Sequence, residues 1–137
     1  MHTPELASAL DSLRLFLHVI GATIWVGGQF TLAGLVPLLR KRDPELPRVV
    51  ARGFNRIAWP AFGLLILTGA WNMAKVPASA SGNYHMVLGI KMTVVLLSGV
   101  AALVHARAKN TKSIALWGSI SGATALAATY LGVLLAG

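Results

Sequence analysis

Apolar residues fall along this chain in four long blocks, and polar residues gather between them. The blocks span residues 12–39, 57–74, 86–106 and 113–136. Each approaches or exceeds the ~18–20 apolar residues that cross ~30 Å of hydrocarbon. The pattern predicts four membrane-spanning helices. Residues 1–11 read as an outer lead-in, where Pro4 and Glu5 suit a helix start. Pro37 predicts a bend at the inner end of span one. The run Asp43-Pro44-Glu45-Leu46-Pro47 predicts a turn. After it, Val49, Val50, Phe54 and Ile57 recur at helical spacing between arginines, as in a surface helix leading into span two. The loop from Val76 to Tyr84 is short, and the Lys109–Lys112 turn is tight, so spans three and four should be antiparallel neighbours. Short connections throughout predict an all-α, integral membrane, antiparallel four-helix bundle forming one domain of 137 residues.

Composition sharpens that picture. The hydrophobic fraction is 55% and the charged fraction 12%, about half the ~25% of a soluble domain. Four spans and their connections leave no room for a soluble catalytic domain or a nucleotide-binding fold. A net charge of +8 invites a nucleic-acid reading, but its distribution argues for a membrane. Arg40, Lys41, Arg42, Arg48, Arg52 and Arg56 surround the first loop, and Arg107, Lys109 and Lys112 the third, against Arg14 and Lys75 on the other side. This asymmetry places loops one and three in the cytoplasm and both termini on the outer, periplasmic side of a bacterial inner (plasma) membrane. The basic loops should also attract anionic headgroups. Span one is too long for a typical signal peptide and reads as retained. Without cysteine, disulfides, thiolate metal sites and thiol nucleophiles are excluded.

Chemistry must then come from the few polar groups near or inside the spans. No Asp or Glu lies within any block, which argues against a proton pump or cation exchanger built on a buried carboxylate. His18, Ala22, Trp25, Gln29 and Ala33 fall on one helical stripe of span one, a face expected to point into the bundle. His18 is a candidate haem or metal ligand there, or a histidine hydrogen-bonded to a neighbouring helix. Lys91 is costly to place in a span, by ~2.5–3.5 kcal/mol. It either snorkels along its apolar stem or meets an anionic ligand group. His105 ends span three, at the opposite membrane face from His18, and reads as interfacial. On the outer side His85 opens span three, beside Met73 and Met86. Histidine and thioether suit Cu(I), while methionine in spans also serves as packing. Gly27, Gly28, Gly63, Gly69, Gly89 and Gly99 read as close-packing positions or as space for a flat cofactor, and Trp59 and Trp71 as the ends of an aromatic belt.

Several of these segments resemble a family. Residues 17–28, Leu-His-Val-Ile-Gly-Ala-Thr-Ile-Trp-Val-Gly-Gly, with Pro37-Leu38-Leu39-Arg40, resemble the first span of CopD-like copper-resistance membrane proteins. Arg52-Gly53-Phe54-Asn55-Arg56-Ile57-Ala58, then Leu67-Thr68-Gly69, and Gly89-Ile90-Lys91 resemble the segments that follow. The layout is also similar to the HemJ-type membrane protoporphyrinogen oxidases, which are associated with b-type haem. There His18 corresponds to the first-span histidine and Lys91 to the third-span lysine. The resemblance implies haem b or a metal bound between spans one and three near the outer face. His18 would be a ligand, His85 a second one, and Lys91 a partner for a propionate. The implied role is electron transfer with a quinone or redox protein, or copper handling through His18, His85, Met73 and Met86. Tetrapyrrole oxidation and a non-catalytic accessory subunit of a larger membrane complex stay open, as does a homodimer.

Overall fold

The computed structural model describes residues 4–137; of the predicted lead-in, residues 1–3 lie outside the described residues. The described residues fold into helices joined by short loops, with no strand among them. The helices are α1 (Ala9–Ala22), α2 (Gly28–Arg42), α3 (Leu46–Ala74), α4 (Gly82–Arg107) and α5 (Thr111–Ala136). A π-helical turn, Thr23–Gly27, joins α1 to α2 without a break. Four stretches, Ala9–Arg42, Leu46–Ala74, Gly82–Arg107 and Thr111–Ala136, are long and apolar enough to cross a membrane. The chain is thus built as a multi-pass membrane protein.

Helix starts are set by polar caps rather than by the edges of the apolar blocks. The side chains of Ser8, Ser81 and Asn110 accept hydrogen bonds from the backbone N–H of Asp11, Tyr84 and Ser113. Each bond satisfies a donor that the first helical turn leaves unpaired. So α1 begins at Ala9, not at Pro4 and Glu5, and α4 begins at Gly82, four residues before the predicted span. Hydrophobic pattern marks the hydrocarbon, whereas capping marks the helix. The predicted turn does form: the Asp43 carboxylate accepts from the Glu45 N–H at 2.8 Å. Beyond it, the expected surface helix and span two are one unbroken helix of 29 residues, ~43 Å long at 1.5 Å per residue. Pro37 and Pro60 both lie inside continuous helices.

The described residues divide into two compact units: residues 4–28 together with 35–76, and residues 29–34 together with 77–137. In the first unit α1 and the π turn pack antiparallel on α3. The buried face of α3 is Ala58, Ala61, Leu65, Thr68 and Gly69, at the three- and four-residue spacing of a helix contact stripe. The closest approach is at Gly21. A Cβ there would lie 3.1 Å from the Ala61 carbonyl oxygen and 3.1 Å from Leu65 Cγ. Trp25, only 4% exposed, packs with its ring centroid 5.3 Å from Trp59 and 4.5 Å from Phe62. Trp59 is therefore part of this aromatic cluster.

In the second unit α4 and α5 are antiparallel neighbours, as the tight turn predicted. Small residues line their contact: Ser98, Gly99 and Ala101 from α4, with Ser121, Ala125 and Ala128 from α5. Ser98 Oγ donates to the Ser121 carbonyl and Ser121 Oγ to the Ser98 carbonyl, both at 2.9 Å. This reciprocal pair fixes the helix register without burying an unsatisfied hydroxyl. Not every glycine serves packing. A Cβ at Gly27, Gly63 or Gly89 would meet nothing within 4 Å, so the close-packing expectation fails at these three.

Adding one methyl group separates the two kinds of glycine. Gly21→Ala should lower unfolding stability in detergent by ~1–3 kcal/mol, because backbone stands in the way. Gly63→Ala should be neutral or stabilising by ~0.5–1 kcal/mol. Thermal or denaturant unfolding followed by helicity checks this; equal effects at both positions would contradict the packing.

Candidate histidine site on the first helix

Along the α1–α3 contact, polar pairs occupy one end and apolar pairs the other. Arg14 donates to the Asn72 side-chain carbonyl and pairs with Asp11 at 3.1 Å. One helical turn further along α1, His18 Nδ1 lies 2.8 Å from Thr68 Oγ1. Arg14 and His18 are four residues apart on α1, and Thr68 and Asn72 four apart on α3. Antiparallel packing therefore matches both pairs at once. Beyond them come Gly21 against Ala61 and Leu65, then Trp25 against Trp59 and Phe62.

The direction of the His18 bond follows from Thr68. The Thr68 hydroxyl has one proton, and Oγ1 sits 2.7 Å from the Leu64 carbonyl, which can only accept. With that proton committed to the carbonyl, Oγ1 accepts from His18, so Nδ1 carries the imidazole hydrogen. When the ring is neutral its lone pair is then on Nε2, directed by ring geometry away from Thr68. Gly69 completes the seat: a Cβ at this buried glycine would lie 3.9 Å from His18 Cε1. A hydrogen bond to the far nitrogen is how proteins fix the tautomer and orientation of a ligating histidine and raise its basicity. The arrangement fits an imidazole that offers Nε2 to an iron or a metal ion.

Beyond Trp25 the predicted stripe does not follow His18. The i→i+5 bonding of the π turn at Thr23–Gly27 adds a residue to the turn. It thereby shifts the helix phase by roughly 100°. His18 and Trp25 face α3, but Gln29 falls in the second unit and Ala33 is exposed. The Nε2 of Gln29 is buried without a hydrogen-bond partner among the described residues.

The other predicted site residues are spread over both units. Met73 is exposed near the end of α3 in the first unit. His85 and Met86 are exposed in the first turns of α4, in the second unit. As chain neighbours on a helix they point ~100° apart. Among the described residues no group of three or more His, Cys, Asp or Glu is placed to hold a metal ion. Lys91, also in the second unit, is half-buried, with its Nζ 3.2 Å from where a Gly132 Cβ would stand. The missing side chain at Gly132 is what gives the ammonium room beside α5. His105 Nδ1 donates to the Ile114 carbonyl at 2.7 Å, and Gly118 admits its ring at 3.0 Å. That histidine ties α4 to α5 near their connection, in keeping with a structural role.

Thr68 was not among the sequence candidates. A signal for it existed: a histidine four residues from an arginine on one apolar block, and a threonine four residues from an asparagine on the next.

The chain was also compared with known proteins. No family model matches it, and no solved structure does. An uncharacterized protein of Aquifex aeolicus (strain VF5) is 31% identical over 94 residues, which are 65% of this chain and 66% of that protein. The chain thus spans just under two thirds of that relative's length, and the similarity brings no activity with it.

Thr68→Val keeps the shape of the side chain but removes the acceptor for the His18 N–H. It should cost ~1–3 kcal/mol of stability, the penalty for a donor left unsatisfied, while Thr68→Ser should restore most of the loss. A valine variant as stable as the parent would show that the bond does not form.

Proposed function

We propose that the chain is a small inner-membrane redox protein of CopD-like type that binds haem b through His18 and passes electrons to or from a quinone or redox protein. The observation that carries this reading is the Thr68-held imidazole, whose tautomer leaves Nε2 as the electron-pair donor. A lone histidine in a span is costly unless it is bonded, and this one is bonded through Nδ1 to a hydroxyl, as histidines that hold a metal or haem commonly are. Haem supplies one-electron chemistry when bound. The residues around His18 do the rest: Thr68 orients the ring, Leu64 O commits the threonine proton, and Gly69 lies against the ring edge. Trp25, Trp59 and Phe62 form a rigid apolar floor further along α1, of the kind that excludes water and tunes an iron potential.

In this proposal loops one and three are cytoplasmic and both termini are outside, on the strength of the nine basic residues around those loops. The sequence puts His85 forward as a second ligand and Lys91 as the cation for an acid group, and both are put to the same test. Copper handling through Met73, His85 and Met86 is the weaker reading, because these side chains are exposed and neither unit holds the set together. HemJ-like protoporphyrinogen oxidation would use the same haem and is distinguished by assaying that substrate.

The test is the visible spectrum of detergent-purified protein, oxidised and reduced, from cells with ample haem. A Soret band and sharp reduced b-type bands are expected. His18→Ala should abolish them, and His85→Ala and Lys91→Gln should weaken or shift them. A featureless spectrum in well-folded protein would sink the haem reading.

A further inference from the structure

The continuous helix α3 carries its first three turns beyond the predicted start of hydrocarbon at Ile57. On that extension Val49, Arg52, Gly53 and Arg56 line an open surface cleft. All four are exposed. They share one face, opposite the Phe54 and Ala58 side that packs inward, as 100° per residue requires. Arg52 and Arg56 are one turn apart, so their guanidinium groups can converge on one anion. Neither has an ion-pair partner among the described residues. The nearby Glu45 carboxylate is taken by Arg48, at 3.7 Å. Between the arginines, a Cβ at Gly53 would meet nothing within 4 Å. The cleft floor there is bare helix backbone with Val49 beside it. Just below Arg56, Ile57 is 58% exposed and apolar.

We infer that this cleft is a binding site for the headgroup of an anionic phospholipid. Arg52 and Arg56 hold the phosphate, Gly53 leaves room for it, and Val49 and Ile57 flank the glycerol and the upper acyl chain. The order along α3 decides for a lipid over a soluble anion: two unpaired cations come immediately before Ile57, and hydrocarbon starting at Ile57 would put them level with the phosphates of the bilayer. The site goes beyond diffuse attraction of basic loops to lipid, because it needs the space over Gly53 as well as the charge. It does not depend on any cofactor at His18.

Delipidated full-length protein in detergent, titrated with phosphatidylglycerol or phosphatidylcholine and read by native mass spectrometry, tests it. One phosphatidylglycerol should bind about thirtyfold more tightly than phosphatidylcholine, the scale expected for two arginines near an anionic surface. Arg52→Gln with Arg56→Gln should remove the preference. Gly53→Leu, which keeps every charge and whose Cβ enters open space, should remove it too. Lys109→Gln with Lys112→Gln should leave it intact. The inference is overturned if Gly53→Leu binds like the parent, which would mean diffuse charge. It is equally overturned if the double arginine variant keeps its preference, or if inorganic phosphate displaces the lipid at comparable concentration. Helicity of each variant confirms folding.

Discussion

Inside hydrocarbon a side-chain N–H or O–H has no water to turn to, and most of what is specific in this chain answers that constraint. Thr68 receives the His18 donor and passes its own proton to the Leu64 carbonyl. Ser98 and Ser121 satisfy one another's helices. His105 uses the Ile114 carbonyl. Thr93, Thr124 and Thr129 turn back to carbonyls four residues earlier in their own helices, which closes their hydrogen bonding locally. Lys91 stands apart. Among the described residues it has no ion-pair partner.

The α1–α3 contact shows how such constraints combine. Close approach needs a residue without a side chain where the backbones meet, and Gly21 supplies it. That approach brings His18 within hydrogen-bonding distance of Thr68, and the π turn just beyond seats Trp25 against Trp59 and Phe62. A π turn costs regular helical bonding and is common at functional positions. Here it divides one long helix between two tasks: the residues before it face α3, and Phe30 beyond it packs near Gly122 in the second unit.

Much of the fold was legible in the sequence. Four apolar blocks gave four helices, Asp43 and Pro44 gave the turn, and the short Lys109–Lys112 connection gave antiparallel neighbours. The helix ends were not legible from hydropathy, since Ser8, Ser81 and Asn110 set them through hydrogen bonds that a hydropathy pattern does not contain. The stripe from His18 to Ala33 failed for a physical reason: it assumes 3.6 residues per turn throughout, and the π turn breaks that count. His18 was identified as a polar group on the inward stripe of span one, but the residue that gives it a tautomer was not. Threonine in an apolar span usually bonds its own helix, and only packing reveals that Thr68 also accepts from another.

The central claim is that Thr68 fixes His18 with its hydrogen on Nδ1 and its electron pair on Nε2. Histidine-selective 15N NMR of the cofactor-free protein in detergent micelles, at a pH where imidazole is neutral, reads this directly. The account predicts a protonated Nδ1 and an unprotonated Nε2 for the resonance that disappears in His18→Ala. A protonated Nε2, or rapid averaging of the two tautomers, would contradict it.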